Sequence, residues 1–233
     1  MSTAVSPSTT IDRAEPEASP RWSGAMKLAG GVSLIAGVLC WSAGMVFSPD
    51  AESMADADYI ASMARDLTDT QISALFLHYA NLLLGVGVLA APSLVRGARG
   101  LKPVVIGALM MSLGMLNVSG MILSDWWNAA TGRLLSEEQA VAVFRHVQDA
   151  SMLQLWKGTE IFAMLGVVLV LVGLARAGVL GWWTPVVFVL GFVGLMIWGA
   201  TMPLAAAAGV LVAFSPFALV GVRLIQRYRL EAR

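Results

Sequence analysis

Four polar side chains stand out because they fall inside apolar stretches of the chain: Glu160, His78, Asn81 and Asn117. At about 1.5 Å of rise per helical residue, counted from the basic residues that flank each stretch, all four lie roughly 22 to 27 Å up a hydrocarbon core about 30 Å thick. An ionisable group in lipid normally faces the interior of a helix bundle or a watery cavity and finds a partner there. The four residues predict an outward-facing polar layer in which Glu160 and His78 bind a proton or a small cationic or polar ligand, while Asn81 or Asn117 orients it.

The same residues allow a plainer interpretation. Lys157 precedes Glu160 by three residues on one helix face, so the two can pair locally. His78 lies close enough to the outer surface for headgroups and water to satisfy its ring. In that case the layer is a set of interface residues without a ligand.

Three further motifs contain residue types that could bind or react. Ser119 and His78 could form a serine dyad, but the segment around Ser119 lacks the leading glycine of the G-x-S-G motif of intramembrane serine proteases. A metal or haem site would need His146 beside His78, which only a fold-back of the second outer loop would allow. Neither pattern predicts a catalytic residue, a metal or another cofactor. Asp125, Trp126 and Trp127 predict an interfacial anchor at the outer boundary, or a lid over the polar layer.

The elements that would position these residues are six apolar segments, each near the 20 residues that cross a bilayer as a helix. They are drawn at 26–47, 74–95, 103–124, 157–175, 184–202 and 204–222. The predicted fold class is all-α, a polytopic membrane bundle of six transmembrane helices. Trp and other aromatic residues near the segment ends agree with this drawing.

Charge orients the bundle, because the polar stretches between the segments alternate in sign. One side carries eleven cations and four acids: Arg13, Arg21, Lys27, Arg96, Arg99, Lys102, Arg176, Arg223, Arg227, Arg229 and Arg233, with Asp12, Glu15, Glu17 and Glu231. The other side carries the remaining four cations and eleven acids. By the positive-inside rule the basic side is cytoplasmic, so both termini are predicted inside a cell membrane.

The domain plan follows from these segments. Residues 1–25, rich in Ser, Thr, Pro and acids, are predicted to be a disordered cytoplasmic tail without a cleaved signal. Residues 26–225 form a single six-helix domain with helical outer loops at 48–73 and 125–156. Residues 226–233 form a basic cytoplasmic C-terminus.

Local signals refine the loops. Thr68 with Gln71, and Ser136 with Gln139, match the capping-box pattern of a helix start. The helix that begins at Ser136 is expected to run unbroken into the fourth span. Pro216 predicts a kink in the sixth span, with a tolerated bend favoured over a gate.

Glycines indicate how the helices pack, because helices in lipid associate by close backbone approach. Gly30, Gly37 and Gly44 recur every seven residues on the first span, and Gly107 and Gly114 do so on the third. They predict contact seams, either between helices of this chain or with other membrane proteins.

The opening Lys27-Leu28-Ala29-Gly30-Gly31, the long helical outer loops and the glycine-rich plan resemble uncharacterised six-helix integral membrane proteins of high-GC Gram-positive bacteria. The resemblance implies the same fold and transfers no site residue.

Composition limits the function. With 58% hydrophobic and 13% charged residues in 233, the chain leaves no room for a separate soluble catalytic domain. Nucleic-acid binding is not expected, and the lone Cys40 is interpreted as a packing residue. The main hypothesis is transport or sensing of a small polar ligand or proton. The alternative is a structural or assembly subunit of a membrane complex, and a membrane enzyme acting on a lipid or quinone is a third hypothesis with less support.

Overall fold

Helices make up the architecture of this protein. The computed structural model describes residues 21–198 and 201–232, and within these ranges it contains nine α-helices, one short 3-10 helix and no β-strand. The α-helices are α1 (Arg21–Val46), α2 (Asp56–Arg65), α3 (Leu67–Val88), α4 (Leu101–Ile122), α5 (Ser124–Leu134), α6 (Glu137–Gln148), α7 (Ser151–Arg176), α8 (Trp183–Trp198) and α9 (Pro203–Glu231). The all-helical fold class is therefore confirmed.

Within the part of the chain that the structure describes, five helices are long and apolar enough to cross a membrane: α1, α3, α4, α7 and α9. A helix suits lipid because it satisfies every interior backbone N–H and C=O within one segment. The predicted fifth segment, 184–202, corresponds to α8, which has only 16 residues and spans about 24 Å. Part of that segment, at 199–200, lies outside the described residues.

The spanning helices pack in a definite order. α4 lies against both α3 and α7, α1 lies against both α3 and α9, and α8 lies against α9. Their inward faces share one apolar core in which Leu34, Met111, Leu171, Phe214 and Phe217 are fully buried. These five packed helices, α1, α3, α4, α7 and α9, are called the inner bundle below.

Glycine brings α4 and α7 into backbone contact. A Cβ atom added at Gly166 would lie 2.3 Å from the Met111 backbone nitrogen, and one added at Gly107 would lie 2.8 Å from the Gly166 carbonyl oxygen. Nearer the outer end, a Cβ at Gly114 would lie 2.5 Å from the Ala163 Cβ. Side chains larger than hydrogen cannot occupy these positions without separating the helices.

A second seam joins α1 to α3. Added Cβ atoms at Gly37 and Gly44 would lie 2.8 Å from Leu84 and 2.7 Å from Leu77. The predicted contact seams are thus confirmed as contacts between helices of this chain. Contact with another protein through these glycines stays a prediction.

The two loops that were predicted to lie outside fold together as a layer formed by α2, α5 and α6. We call this layer the outer cap, after the predicted orientation. α2 packs on α5 and on α6, with Ile60, Met63, Ala129 and Ala140 buried between them. A Cβ at Gly132 of α5 would lie 2.8 Å from the Ile60 side chain, so this contact also needs a glycine. The cap gives the outer half of the molecule a second, small apolar core.

Helix starts and stops in the cap correct two predictions. The expected unbroken helix is wrong, because the chain leaves the helical conformation at Ala150 and α7 starts afresh at Ser151. The Thr68 capping box is also wrong, since Asp66 caps α3 by accepting from the Thr68 and Asp69 backbone N–H groups. The Ser136 capping box is confirmed with both of its hydrogen bonds.

Pro216 lies inside α9, and the helix continues through it. The ring removes the donor that would serve the Val212 carbonyl. The Ser215 hydroxyl replaces it, donating to the Val212 carbonyl oxygen at 2.8 Å. This substitution of a side-chain donor explains how a proline is accommodated in a membrane span.

Candidate functional site

His78 contacts α4 and not α7. Its Nδ1 atom lies 2.8 Å from the Ser119 hydroxyl oxygen and 3.0 Å from the Ser119 carbonyl oxygen. The Ser119 hydroxyl also lies within 3.2 Å of the His78 carbonyl oxygen, to which it can donate. With Nδ1 protonated, the ring donates to the Ser119 carbonyl and the hydroxyl donates to the His78 carbonyl, so the pair clamps α3 to α4.

The clamp brings together the two residues of the serine-dyad pattern. Ser119, however, is 1% exposed. A nucleophile needs an open position about 3 Å from its oxygen for the reacting atom of the substrate. The contact therefore explains helix packing better than hydrolysis.

His146, the other histidine, lies on α6 in the outer cap and is exposed. Within residues 21–198 and 201–232, no three His, Cys, Asp or Glu side chains lie close enough together to hold a metal ion.

The two asparagines of the predicted layer face different surroundings. Asn81 is fully buried on α3, and its Nδ2 donates to the Leu77 carbonyl at 2.8 Å while its Oδ1 has no hydrogen-bond partner. Asn117 is exposed on α4, on the same side as the exposed Leu113 and Ile106. The layer is therefore divided between the interior and the outer surface of the bundle.

Glu160 is exposed on α7, and among the described residues it forms no ion pair with Lys157 or His78. The Lys157 ammonium donates instead to the Gln148 side-chain oxygen, which lies outward of it. Neither the predicted contact with His78 nor the alternative pairing with Lys157 is present.

The register of Glu160 on α7 shows which way it faces. At 100° per residue it lies within about 40° of Val167, Leu171 and Leu174. These three residues are fully buried in the core. Glu160 thus lies on the core-facing side of α7. Because Glu160 is exposed and Val167 is fully buried, this side of α7 becomes accessible between the two residues.

Outward of Glu160 the same face of α7 lines a cavity of about 410 Å³ beneath the outer cap. Its walls come from the outer ends of α4 and α7 and from α5 and α6: Gly120, Met121, Leu123, Ser124, Trp127, Asn128, Thr131, Val143, Phe144, Val147, Gln148, Leu153, Trp156 and Lys157. We call this cavity the cap pocket. It lies beside the end of α4 that is followed by Trp126 and Trp127.

The chemistry of the cap pocket is apolar with a single charge. Trp127, which is 72% exposed, and Trp156, which is 41% exposed, both line the space. Lys157 is half-buried and is the only ionisable residue among the lining residues, where the other polar side chains are neutral. Such a mixture of apolar walls with few polar groups is typical of small-molecule sites.

The outer cap is locked by a polar contact that involves Asp125, the residue predicted as an anchor or lid. The Tyr59 hydroxyl donates to the Asp125 carboxylate at 2.8 Å, joining α2 to the start of α5. Burial, and then the nearby Asp125 charge, raise the pKa of Tyr59.

The neighbouring tryptophans have separate positions. Trp127 lines the cap pocket, whereas Trp126 is 40% exposed and is not among its lining residues. Of the predicted anchor or lid residues, Asp125 fixes the cap and Trp127 forms a wall.

Sequence reasoning did not identify the cap pocket. The sequence indicated Lys157 only as a counter-charge for Glu160. Two tryptophans and one lysine near the ends of the second outer loop were the available signal. The break at Ala150, which turns α7 against α6, could not be derived from them.

Comparison with protein-family models, with curated proteins and with solved structures gave no match for this chain. The function is therefore inferred from the geometry of the cap pocket and of the inner bundle.

Proposed function

We propose that this chain is a multi-pass protein of the cell membrane that binds a small ligand from the outer side in the cap pocket and serves as a sensor or receptor for it. In this proposal α8 also crosses the membrane, as the fifth of six spans, and both termini lie in the cytoplasm, because the polar stretches alternate in charge. The outer cap then faces the exterior.

The cap pocket is the observation that carries this proposal. At about 410 Å³ it falls within the range of small-molecule sites, about 300 to 1,000 Å³. It lies at the boundary between water and lipid, so a ligand can enter from either phase. Its walls belong to helices of both the outer cap and the inner bundle, so a bound ligand contacts both.

The seam beneath the pocket favours sensing over transport. Between Gly114 and Gly107 the backbones of α4 and α7 touch, and Val167 and Val170 are fully buried beside them. A transported solute would need this contact to open. A sensor needs only a shift of the cap relative to the spans.

The assembly-subunit alternative has less support. Its main argument was the glycine seams, and the glycines of α1 and α4 are already in contact with α3 and α7 of the same chain. An enzyme acting on a lipid or quinone would need a reactive side chain in the pocket, and among its lining residues only Lys157 is ionisable.

Photolabelling in neutral lipid nanodiscs tests the proposal. A neutral decanol derivative carrying a diazirine should label the pocket residues Phe144 and Leu153 saturably, because the pocket holds a limited number of molecules. Labelling of Leu165, which is 53% exposed on the lipid-facing side of α7, should rise without saturation.

Two matched variants make the test specific. Leu153→Trp fills the pocket and should abolish saturable labelling, while Leu165→Trp places the same ring on the lipid-facing side and should leave it unchanged. Non-saturable labelling at both positions in the native chain would overturn the proposal. A reporter fused after residue 140 should be exported, and a cytoplasmic reporter there would overturn the orientation.

A further inference from the structure

We infer that the ligand of the cap pocket is an anionic single-chain amphiphile, with one carboxylate or phosphate head and an alkyl chain of about ten to twelve carbons. This inference rests on the proposed function and names the ligand class of the same site. It assigns Lys157 as the residue that binds the head group.

The charge of Lys157 is the first argument. Its ammonium has three N–H donors, and the hydrogen bond it makes goes to the neutral side-chain oxygen of Gln148. Among the described residues no carboxylate lies within 4.0 Å of it, and the pocket lining contains no Asp or Glu. A half-buried cation without a counter-charge attracts an anion, since its remaining donors are most strongly satisfied by a charged acceptor.

The direction of the lysine side chain is the second argument. Lys157 reaches outward to Gln148, which precedes α7, whereas Glu160 lies one turn inward on the same helix face. An anionic head bound at the ammonium therefore lies on the outer side, away from the Glu160 carboxylate. The negative charge of Glu160 opposes deeper entry of the head and so favours the orientation with the head outward.

Pocket size and lining are the third argument. The space is about 410 Å³, and an alkyl chain of ten to twelve methylene groups occupies roughly 300 to 360 Å³ at about 30 Å³ each, so one such chain fits. The chain would lie against Trp127, Leu153 and Trp156, whose burial gives the affinity.

Competition against the neutral photolabel tests the inference in the full-length protein. Dodecanoic acid, its methyl ester and dodecyltrimethylammonium are compared at a pH at which the acid is ionised. We expect the acid to compete at a concentration at least about tenfold lower than the ester or the cation, because it gains a charge-assisted hydrogen bond. A phosphatidylglycerol with two full chains should compete no better than a neutral phosphatidylcholine.

Variants connect the preference to Lys157. Lys157→Met should retain saturable labelling by the neutral probe and lose the preference for the acid, whereas Lys157→Arg should keep the preference. Gln148→Glu supplies a counter-charge for Lys157 and should also weaken the competition by dodecanoic acid. Lys102→Met, which removes an exposed cation at the opposite end of α4, should change nothing.

The outcomes separate the two claims. Equal competition by acid and ester in the native chain, or an acid preference that survives Lys157→Met, would overturn the inference that the ligand is anionic. It would leave the proposal that the cap pocket binds a small ligand standing. Better competition by the two-chain phosphatidylglycerol would overturn the single-chain class. Failure of the neutral probe to label saturably would overturn the proposed function as well.

Discussion

The inner bundle and the outer cap differ in how tightly they are packed. In the inner bundle, α4 and α7 meet at glycines where an added Cβ would strike the opposite backbone, and the core is filled by large apolar side chains. In the outer cap, short helices share a small apolar core and are joined by a few polar contacts, such as Tyr59 with Asp125 and Arg145 with Asp56. Close packing resists opening, whereas a small set of hydrogen bonds can be exchanged. The difference indicates that the bundle is the rigid support and that the cap is the part able to respond to a ligand.

The largest expected effect comes from separating α4 and α7. Gly166→Leu should lower the free energy of unfolding by about 3 kcal/mol or more, because its side chain would meet the Met111 backbone, which cannot move aside. Gly158→Leu is the matched control on the same helix, where an added Cβ meets no atom within 4 Å. Thermal unfolding in detergent measures both. Equal melting temperatures for the two variants would contradict the rigid seam.

The next effect concerns Asp125 in the outer cap. Its carboxylate accepts the hydrogen bond that joins α2 to the start of α5. Loss of this acceptor should destabilise the cap by about 1 to 3 kcal/mol, because it leaves the Tyr59 hydroxyl without its partner.

Asp125→Ala removes the acceptor, whereas Asp125→Asn keeps one for the Tyr59 hydroxyl and should cost less. Hydrogen exchange of the α2 amides in the native and variant chains measures the loss. Equal exchange in Asp125→Ala and in the native chain would mean that Asp125 does not fix the cap.

A smaller effect is expected at the junction between α3 and α4. Ser119→Ala removes a buried hydroxyl that contacts both the ring and the carbonyl of His78, and should cost about 1 to 2 kcal/mol. Combined with His78→Phe in a double-mutant cycle, it should give a coupling energy of about 1 kcal/mol. Additive effects would show that the two residues do not act as a clamp.

The smallest effect is expected for the Arg145 and Asp56 pair, whose nitrogen and oxygen atoms lie 2.6 Å apart at the surface of the cap. Arg145→Ala should cost no more than about 1 kcal/mol, and less at high salt, because exposed ion pairs are screened. Cap stability is measured by exchange of the α2 amides at two salt concentrations. A loss as large as that of Gly166→Leu would erase the distinction between the two regions.

The inner bundle was largely predictable from the sequence, because its signals are local and periodic. Apolar runs of about 20 residues indicated the spans, and the seven-residue spacing of Gly30, Gly37 and Gly44 indicated a contact face before any partner helix was known. In the outer cap, Ser136 and Gln139 specified the start of α6 through a similarly short-range hydrogen-bond pattern. These features depend on residues a few positions apart.

The site was less predictable, because it depends on how distant elements meet. The helical rise per residue placed four residues at similar heights but gave no information on which neighbour each would face: Glu160, His78, Asn81 and Asn117. His78 turned to Ser119, and Asn117 turned outward. The cap pocket depends on the interruption at Ala150 and on the packing of α2 against α5, which no periodic signal specifies.

The central claim is that α7 lines an accessible pocket up to Glu160 and is closed off from solvent in the packed bundle from Val167 onward. The most direct test introduces single cysteines at Lys157, Glu160, Val167 and Leu171 in a Cys40→Ala chain and measures modification by a membrane-impermeant thiol reagent applied from the outside. The account predicts rapid modification at the first two positions and none at the last two. Modification at Val167 or Leu171 would reveal a path through the bundle and favour transport, and protection at Lys157 would contradict the outward-facing pocket.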